Sequence, residues 1–405
     1  MSYQLKFNVS ITIDVESCNF KHITIQFLYA LKDLFEQFVK AVLLHYFKEY
    51  YESGQLKEIL CIDNYKRKST SSLTKFKTLF GDIKVPQLQI RTIGKDGKEQ
   101  QISITRTLLG VSRKYQIPDF MKELMAWIGS VTTYRVGHNI LGLLTNFKCS
   151  LMSVWDSVQI GAKKIKLELS PDGTNEFEAD ATGIPTLGRG KRGSELKKVF
   201  QKKKNGKLHL VGLTIGKYKN KKDWLLAFSE LKTALSSNLK KYEKIILCSD
   251  GDLSIIDTAK RISTRIKIQK DKWHVFHQLK YYLWKDGVKK KLKNKIIGHF
   301  FKISMLSKRI IKERDKRISQ YIQLLSKAGF HHTSVYLRSA MDGFYTHETE
   351  KNTNIYSTLT ERSMRTTNQR INVGVWSDTG ALNICKIRGA YYYNGISPLD
   401  WKNQG

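Results

Sequence analysis

The chain has 405 residues, enough for two or three domains with cores of their own. Its 41% hydrophobic and 11% aromatic content excludes disorder as the main state. With 70 Lys+Arg against 36 Asp+Glu, the formal charge is +34, so the expected partner is a polyanion, nucleic acid being the commonest. No run reaches the roughly 18 uninterrupted apolar residues that cross a bilayer. The nearest, 23–47, is broken by Lys32, Asp33, Glu36, Gln37 and Lys40 and reads as an amphipathic core helix. No basic-then-apolar leader opens the sequence, and the five cysteines (18, 61, 149, 248, 385) show no CxxC spacing. The expectation is a reducing, cytoplasmic location with no membrane and no disulfide framework.

In chain order, residues 3–14 alternate like a strand, and the long amphipathic helix runs on to about Tyr51. Residues 74–107 read as a β-hairpin or short meander with its turn at Gly94–Gly97. Pro118 opens an α-rich section. In it, 131–145 and 151–165 form two helices around the break NFKCS, the outline of a helix-turn-helix. The tripeptide Pro171-Asp172-Gly173 marks a boundary, after which the pattern is α/β. Strands are expected at 175–184, 208–216, 244–249 and 265–270, with a helix at about 223–238 and another from about 275. Residues 285–350 are almost wholly helical and strongly basic, and a last helix begins near Thr358. The expected domains are 1–70 (role open), 71–170 (β-hairpin and helix-turn-helix) and 171–405 (catalytic, with a helical insertion at about 285–350).

Three acids stand out. Asp180 sits at the end of the first α/β strand, Asp250 ends the strand KIILCS, and Glu361 lies at the head of the last helix. Two strand-end aspartates and one helix-borne glutamate can converge at one rim of a sheet, the requirement for a pair of hard divalent ions. Each has a plainer reading: Asp180 as a turn former, Asp250 or Asp252 as the opener of a helix, and Glu361 as the last member of a Thr358-x-x-Glu capping box. Asp250 is preferred over Asp252 because it leaves the strand directly.

The tract 187–207 holds nine Lys+Arg and one acid, Glu195. Its Gly188-Arg189-Gly190-Lys191-Arg192-Gly193 matches GxGxxG, but only lysines follow where a ribose-binding acid would stand. It reads instead as a phosphate-contacting hairpin tip through Arg189, Lys191 and Arg192. Tyr281, Tyr282, Trp284, His299 and Phe300 lie among the basic helices, and core packing is their default role over base stacking.

The order Asp180, Asp250, Glu361 with a helical segment before the glutamate resembles the DDE transposases of prokaryotic insertion sequences, in particular the Mutator-like group. The stretch 271–284, DKWHVFHQLKYYLW, is similar to that family's Cys/Asp-x-x-His element, with His277 at the histidine position, or Asp271 and His274 one turn earlier. The stretch 360–383 is similar to its glutamate helix followed by Trp and Gly-Ala. The resemblance spans roughly 130–390. It implies an α/β, RNase H-like catalytic core with an all-helical insertion, behind an N-terminal α+β region with a helix-turn-helix. It further implies two Mg²⁺ or Mn²⁺ ions on Asp180, Asp250 and Glu361, and active-site support from His274 or His277. Arg362, Arg365 and Arg370 would contact DNA backbone. The implied activity is cleavage of double-stranded DNA at transposon ends and joining of the 3′-hydroxyl to target DNA, by at least a dimer, associated with the nucleoid of a prokaryotic cell. The alternatives are a nuclease or resolvase on the same core, or a DNA-binding relative without catalysis.

Overall fold

The computed structural model describes residues 20–60, 62, 64–68, 72–93, 97–109, 111, 116–188, 193–237, 239–306, 311–350, 358–371 and 374–396. Within these, the side chains of 20–22, 50, 59, 67, 68, 358–361 and 368 are not described. The expected strand at 3–14 lies outside the described residues, as do Arg189, Lys191 and Arg192 and the side chain of Glu361. Two compact units divide the chain, 1–164 with 397–405, and 165–396.

In the first unit, α1 (Phe20–Glu52) is followed by α2 (Leu56–Leu60), β1 (Tyr65–Lys68), β2 (Leu73–Thr78), β3 (Gly81–Pro86), β4 (Gln89–Ile93), β5 (Glu99–Ser103) and α3 (Ile104–Leu108). Strands β2 and β3 form an antiparallel hairpin, and β1, β4 and β5 form a three-stranded sheet. Helix α1 turns Val39, Leu43 and Phe47, four residues apart, onto Phe76, Ile83, Val85 and Ile90. Three further helices follow: α4 (Asp119–Val131), α5 (Tyr134–Leu144) and α6 (Leu151–Lys164). Helices α4 and α6 approach closely at Gly129, where a Cβ would stand 2.9 Å from Val158. The connection between α5 and α6 is held to α5 by His138 Nε2 at 3.1 Å from Cys149 O. The outward side of α6 is apolar over its first three turns, through Met152, Trp155 and Ile160.

The second unit is mixed α/β. Strands β6 (Gly173–Ile184), β7 (Ser194–Lys203) and β8 (Leu208–Gly216) form an antiparallel meander. Helices α7 (Lys221–Ala227) and α8 (Ser229–Ser236) lead to β9 (Ile245–Ser249), α9 (Leu253–Ile262) and β10 (Ile266–Lys270). The sheet order is β10-β9-β6-β7-β8, with β9 parallel to both β6 and β10. Helix α10 (Lys272–Lys285) begins a helical segment of α11 (Lys290–Ser304), α12 (Ile311–Lys327), α13 (His331–Met341) and α14 (Thr346–Thr349). This segment has its own core of Leu279, Leu283, Phe300, Ile318, Ile322 and Leu337. The chain then returns to the sheet with α15 (Thr358–Ile371) and α16 (Asp378–Asn394).

The alternation of the strands settles the two sheet faces. Phe177, Ala179, Val199, Val211, Ile245 and Leu247 point to one face and pack with Trp224, Phe228 and Leu231 of α7–α8 and Ile255 and Ile256 of α9. Residues one step along point to the other face, where Leu196 and Ile184 meet Ile371 of α15 and Ala381 and Cys385 of α16. Helix α16 lies close on β8 because residue 389 is glycine: a Cβ there would come within 2.3 Å of Leu210 Cδ2.

Candidate active site at the sheet rim

The parallel register between β6 and β9 runs from Glu176–Ile246 to Ala179–Ser249. The next residues along are Asp180 and Asp250. Asp180 has the parity of Glu178, on the face opposite Phe177 and Ala179, and Asp250 has the parity of Cys248, opposite Leu247. The two aspartates thus stand at the same level of adjacent strands, Asp180 on the face over which α15 returns and packs against β6 and Asp250 in the bend that follows β9. Glu361 sits in the first turn of α15.

Asp250 is half-buried, and its proton affinity is raised. Burial is the main cause; the Asp252 charge adds to it, while the Asp252 N–H, His274 and Lys219 oppose it. Its Oδ1 accepts the Asp252 N–H at 2.9 Å, a turn that Gly251 makes possible with φ +91°. Asp252 itself has a structural post. It is the N-cap of α9, accepting from Ser254 N at 2.7 Å, and pairs with Lys219 Nζ at 3.2 Å. These bonds hold its carboxyl below the usual range against the cost of burial. Asp180 Oδ1 accepts the N–H of Ala181 at 2.7 Å.

A lysine that sequence reasoning treated as part of a phosphate loop belongs to this site. Lys198 faces Asp180 across the β6–β7 register and is buried. Its Nζ donates to Ser363 O at 3.2 Å and to Thr367 Oγ1, both on α15. Burial pushes its ammonium down to about 8, against the nearby charges of Cys385 and Asp180. Lys197, one step along, turns to the other face and is buried with Glu195 at 2.8 Å. Within the tract 187–207, residues 194–203 are therefore an interior strand in which Lys197 and Lys198 are used inside the unit, while Lys204 and Lys207 are exposed in the turn that follows.

The histidines separate by role. Asp271 is the N-cap of α10, accepting from the N–H groups of Trp273 and His274, and its own N–H donates to Ser249 O at 2.8 Å. Its carboxylate serves the helix start. His274 lies near enough to Asp250 to act on its charge, whereas His277 is exposed and stacks on Trp273, ring centroids 5.2 Å apart. Arg362 and Arg365 are exposed on α15. Arg370 is not available to DNA: it is 4% exposed and its guanidinium covers the Trp376 ring at 4.5 Å. Charge in a helix with three arginines suggested solvent for all of them; the Trp376 ring, six residues on, withdraws one.

Among the described residues, no group of three or more His, Cys, Asp or Glu side chains is arranged to hold a metal ion. Two aspartates and the helix bearing Glu361 are what the described rim supplies. No known protein-family model matches the sequence, and no curated protein does. The fold defines a mixed α/β unit in which Asp250 directly follows β9, while Asp180, expected at a strand end, is interior to β6, which pairs with β7 on to Ile184.

Proposed function

We propose that the protein is a metal-dependent DDE transposase that cuts double-stranded DNA at transposon ends and joins the freed 3′-hydroxyl to target DNA. The observation that carries this reading is the register: Asp180 in β6 and Asp250 just past β9 stand level on adjacent parallel strands, and the Glu361 helix packs on β6. A three-stranded meander extended by two parallel strands supports an RNase H-like core, and α11–α14 correspond to an insertion ahead of the glutamate.

The donor chemistry fits hard divalent ions. A half-buried carboxylate with raised proton affinity, beside a second carboxylate, gains most from a cation with oxygen preference, so Asp180, Asp250 and Glu361 would hold Mg²⁺ or Mn²⁺. Two such ions, when bound, supply charge stabilisation of the attacking and leaving oxygens. The chain's own residues do the positioning. Lys198 ties α15 to the sheet, and Arg388 of α16, which donates to Thr366 O at 2.8 Å, ties it to the neighbouring helix. His274 sets part of the field at Asp250. Exposed Arg362 and Arg365 would meet phosphates, and the net charge of +34 draws the duplex in. The α5–α6 pair would serve as a helix-turn-helix reader of the ends. Exposed Arg135, Lys148 and Lys163 would meet backbone there, and apolar Met152 and Trp155 thymine methyls.

The test is cleavage of a labelled duplex carrying the repeats that flank the encoding locus, with Mg²⁺ or Mn²⁺. Nicking at the repeat boundary is expected, reduced at least 100-fold by Asp250→Asn and by Glu361→Gln, with duplex binding kept. Cleavage that persists in Asp250→Asn removes the site assignment. Cleavage without joining of the 3′ end would instead make it a nuclease.

A further inference from the structure

Helix α10 starts at the rim, its Asp271 N–H on the carbonyl of the residue before Asp250. Val275, Leu279 and Leu283 bury one side of it. On the opposite side, Trp273, His277, Lys280, Tyr281 and Trp284 fall within about a third of the helical circumference. Trp273 is 53% exposed and Trp284 65%, an unusual outlay of large aromatic surface. From Trp273 to Trp284 the face runs about 16 Å, the reach of about five nucleotides of a strand at duplex rise.

The groove between this face and α11 is a cavity of ≈ 640 Å³. Phe276 and Phe301 form its apolar walls, Trp273 and His277 present stacked rings tilted by 15°, and Lys280 and Lys302 stand at it. Gly298 leaves its position in the wall open, with nothing within 4 Å of where a Cβ would be. From 272 to 306 the sequence holds nine lysines and one acid, Asp286. That carboxylate is spent on the N–H groups of His332 and Thr333, at 3.0 and 2.8 Å. The sequence treated Tyr282, His299 and Phe300 alike with Tyr281 and Trp284, and the fold divides them. Phe300 is core, Tyr282 stacks on Tyr336 and His299 lies against Tyr321.

Flat apolar rings in series, cations between them and no free carboxylate suit a ligand that alternates flat rings with anions. An apolar helix of a protein partner would strand the lysines, and an acidic peptide would leave the rings bare. We propose that the α10–α11 groove is a binding track for an unpaired DNA strand, its first base on Trp273 and Phe301 and its path running along α10 away from the Asp180–Asp250 rim. The inference rests on the DNA-processing reading and names the form of substrate beside that site.

The experiment is fluorescence anisotropy of the full chain without divalent metal, so that it reads binding whether or not the rim is catalytic. The probes are a blunt duplex, the same duplex with a short 3′ oligo-dT extension, and the same extension built of abasic units. The oligo-dT extension is expected to tighten binding about tenfold, the scale of one stacked base. The abasic extension should give little of this gain. Trp273→Ala with Phe301→Ala should remove the gain and leave blunt-duplex affinity unchanged, and Trp273→Phe should retain most of it. Equal affinity for the blunt and dT-extended duplexes overturns the track. So does an abasic extension that gains as much, or a double variant that loses both duplexes equally. A variant that does not fold leaves the wild-type comparison of the three probes to decide. An extension-dependent gain in a protein that never cleaves would keep the track and discard the transposase.

Discussion

Asp250 and Lys198 are two residues of the candidate site whose charge burial disfavours, and each gives a pH signature. Burial raises the Asp250 carboxyl, so in the range from its ordinary value up to its folded one the folded state holds a proton that the unfolded state lacks. Folding stability from this group therefore falls as pH rises through that range. Asp250→Asn, with no proton to lose, should melt above wild type at pH 7, and the difference should shrink toward pH 4. Equal melting at both values would show the carboxyl to be unstrained. Lys198 has the opposite sense. Its folded value is about 8, below the ordinary one for lysine, so between pH 8 and about 10.5 the unfolded chain holds the extra proton and stability rises with pH. Lys198→Met keeps the stem and removes the proton, and should abolish that rise, on the order of 5 °C in Tm. It should also lower cleavage about tenfold, because α15 loses its tie at Ser363 and Thr367. A variant with the wild-type pH slope would refute the burial of the ammonium.

The elements were legible where one physical signal dominated. The apolar runs at 208–216, 244–249 and 265–270 correspond to strands within a residue or so, since buried parallel or interior strands read as continuous apolar sequence. The two helices around NFKCS also stand where their periodicity put them. Helix α16 was not read, though Ser377-Asp378 and Gly395 are a serviceable start and stop: Ser377 caps at Gly380 N, 3.1 Å, and Gly395 is left-handed at φ +68°. Its apolar residues are spread around the helix, because it is buried over most of its circumference, and so no amphipathic stripe announced it. The helix expected at 223–238 is two, interrupted at Phe228, whose ring stacks on Trp224 in the core. In the candidate site, Asp250 was visible as a strand end; Asp180 was read as one too, but β6 runs on past it to Ile184, and the role of Lys198 was not visible. A Lys-Lys pair reads as solvent until the strand is known to be covered on both faces. Asp252 and Asp271 repeat one device, an aspartate just after a parallel strand that caps the next helix. Asp271→Ala should cost about 1 kcal/mol of stability. It should also weaken the oligo-dT preference more than blunt-duplex binding, since the cap seats the turn that bears Trp273. A loss confined to stability would separate the cap from the groove.

At the scale of the whole molecule, the formal charge of +34 overstates what reaches solvent. Lys197, Lys198, Lys270, Lys272, Arg314, Arg370 and Arg388 are all buried, several of them bonded to carbonyls or carboxylates inside the units. No described helix is long and apolar enough to cross a membrane. The remaining exposed lysines and arginines are many and lie on several elements, so duplex binding should be governed by phosphate neutralisation and counterion release. Between 50 and 200 mM salt, affinity for a blunt duplex should fall by about 10³ or more, linearly in the logarithm of salt, as for six or more phosphate contacts. Arg362→Ala and Arg365→Ala should each reduce the slope by about one while lowering affinity alike for every sequence, because a backbone contact carries no base information. Arg370→Ala should leave the slope alone and lower Tm, since its guanidinium is committed to Trp376. A salt response that is flat in wild type would dismiss the polyanion as the partner. A wild-type slope that survives both exposed-arginine variants would move the duplex off the Glu361 helix, and with it the reason for placing DNA at the rim.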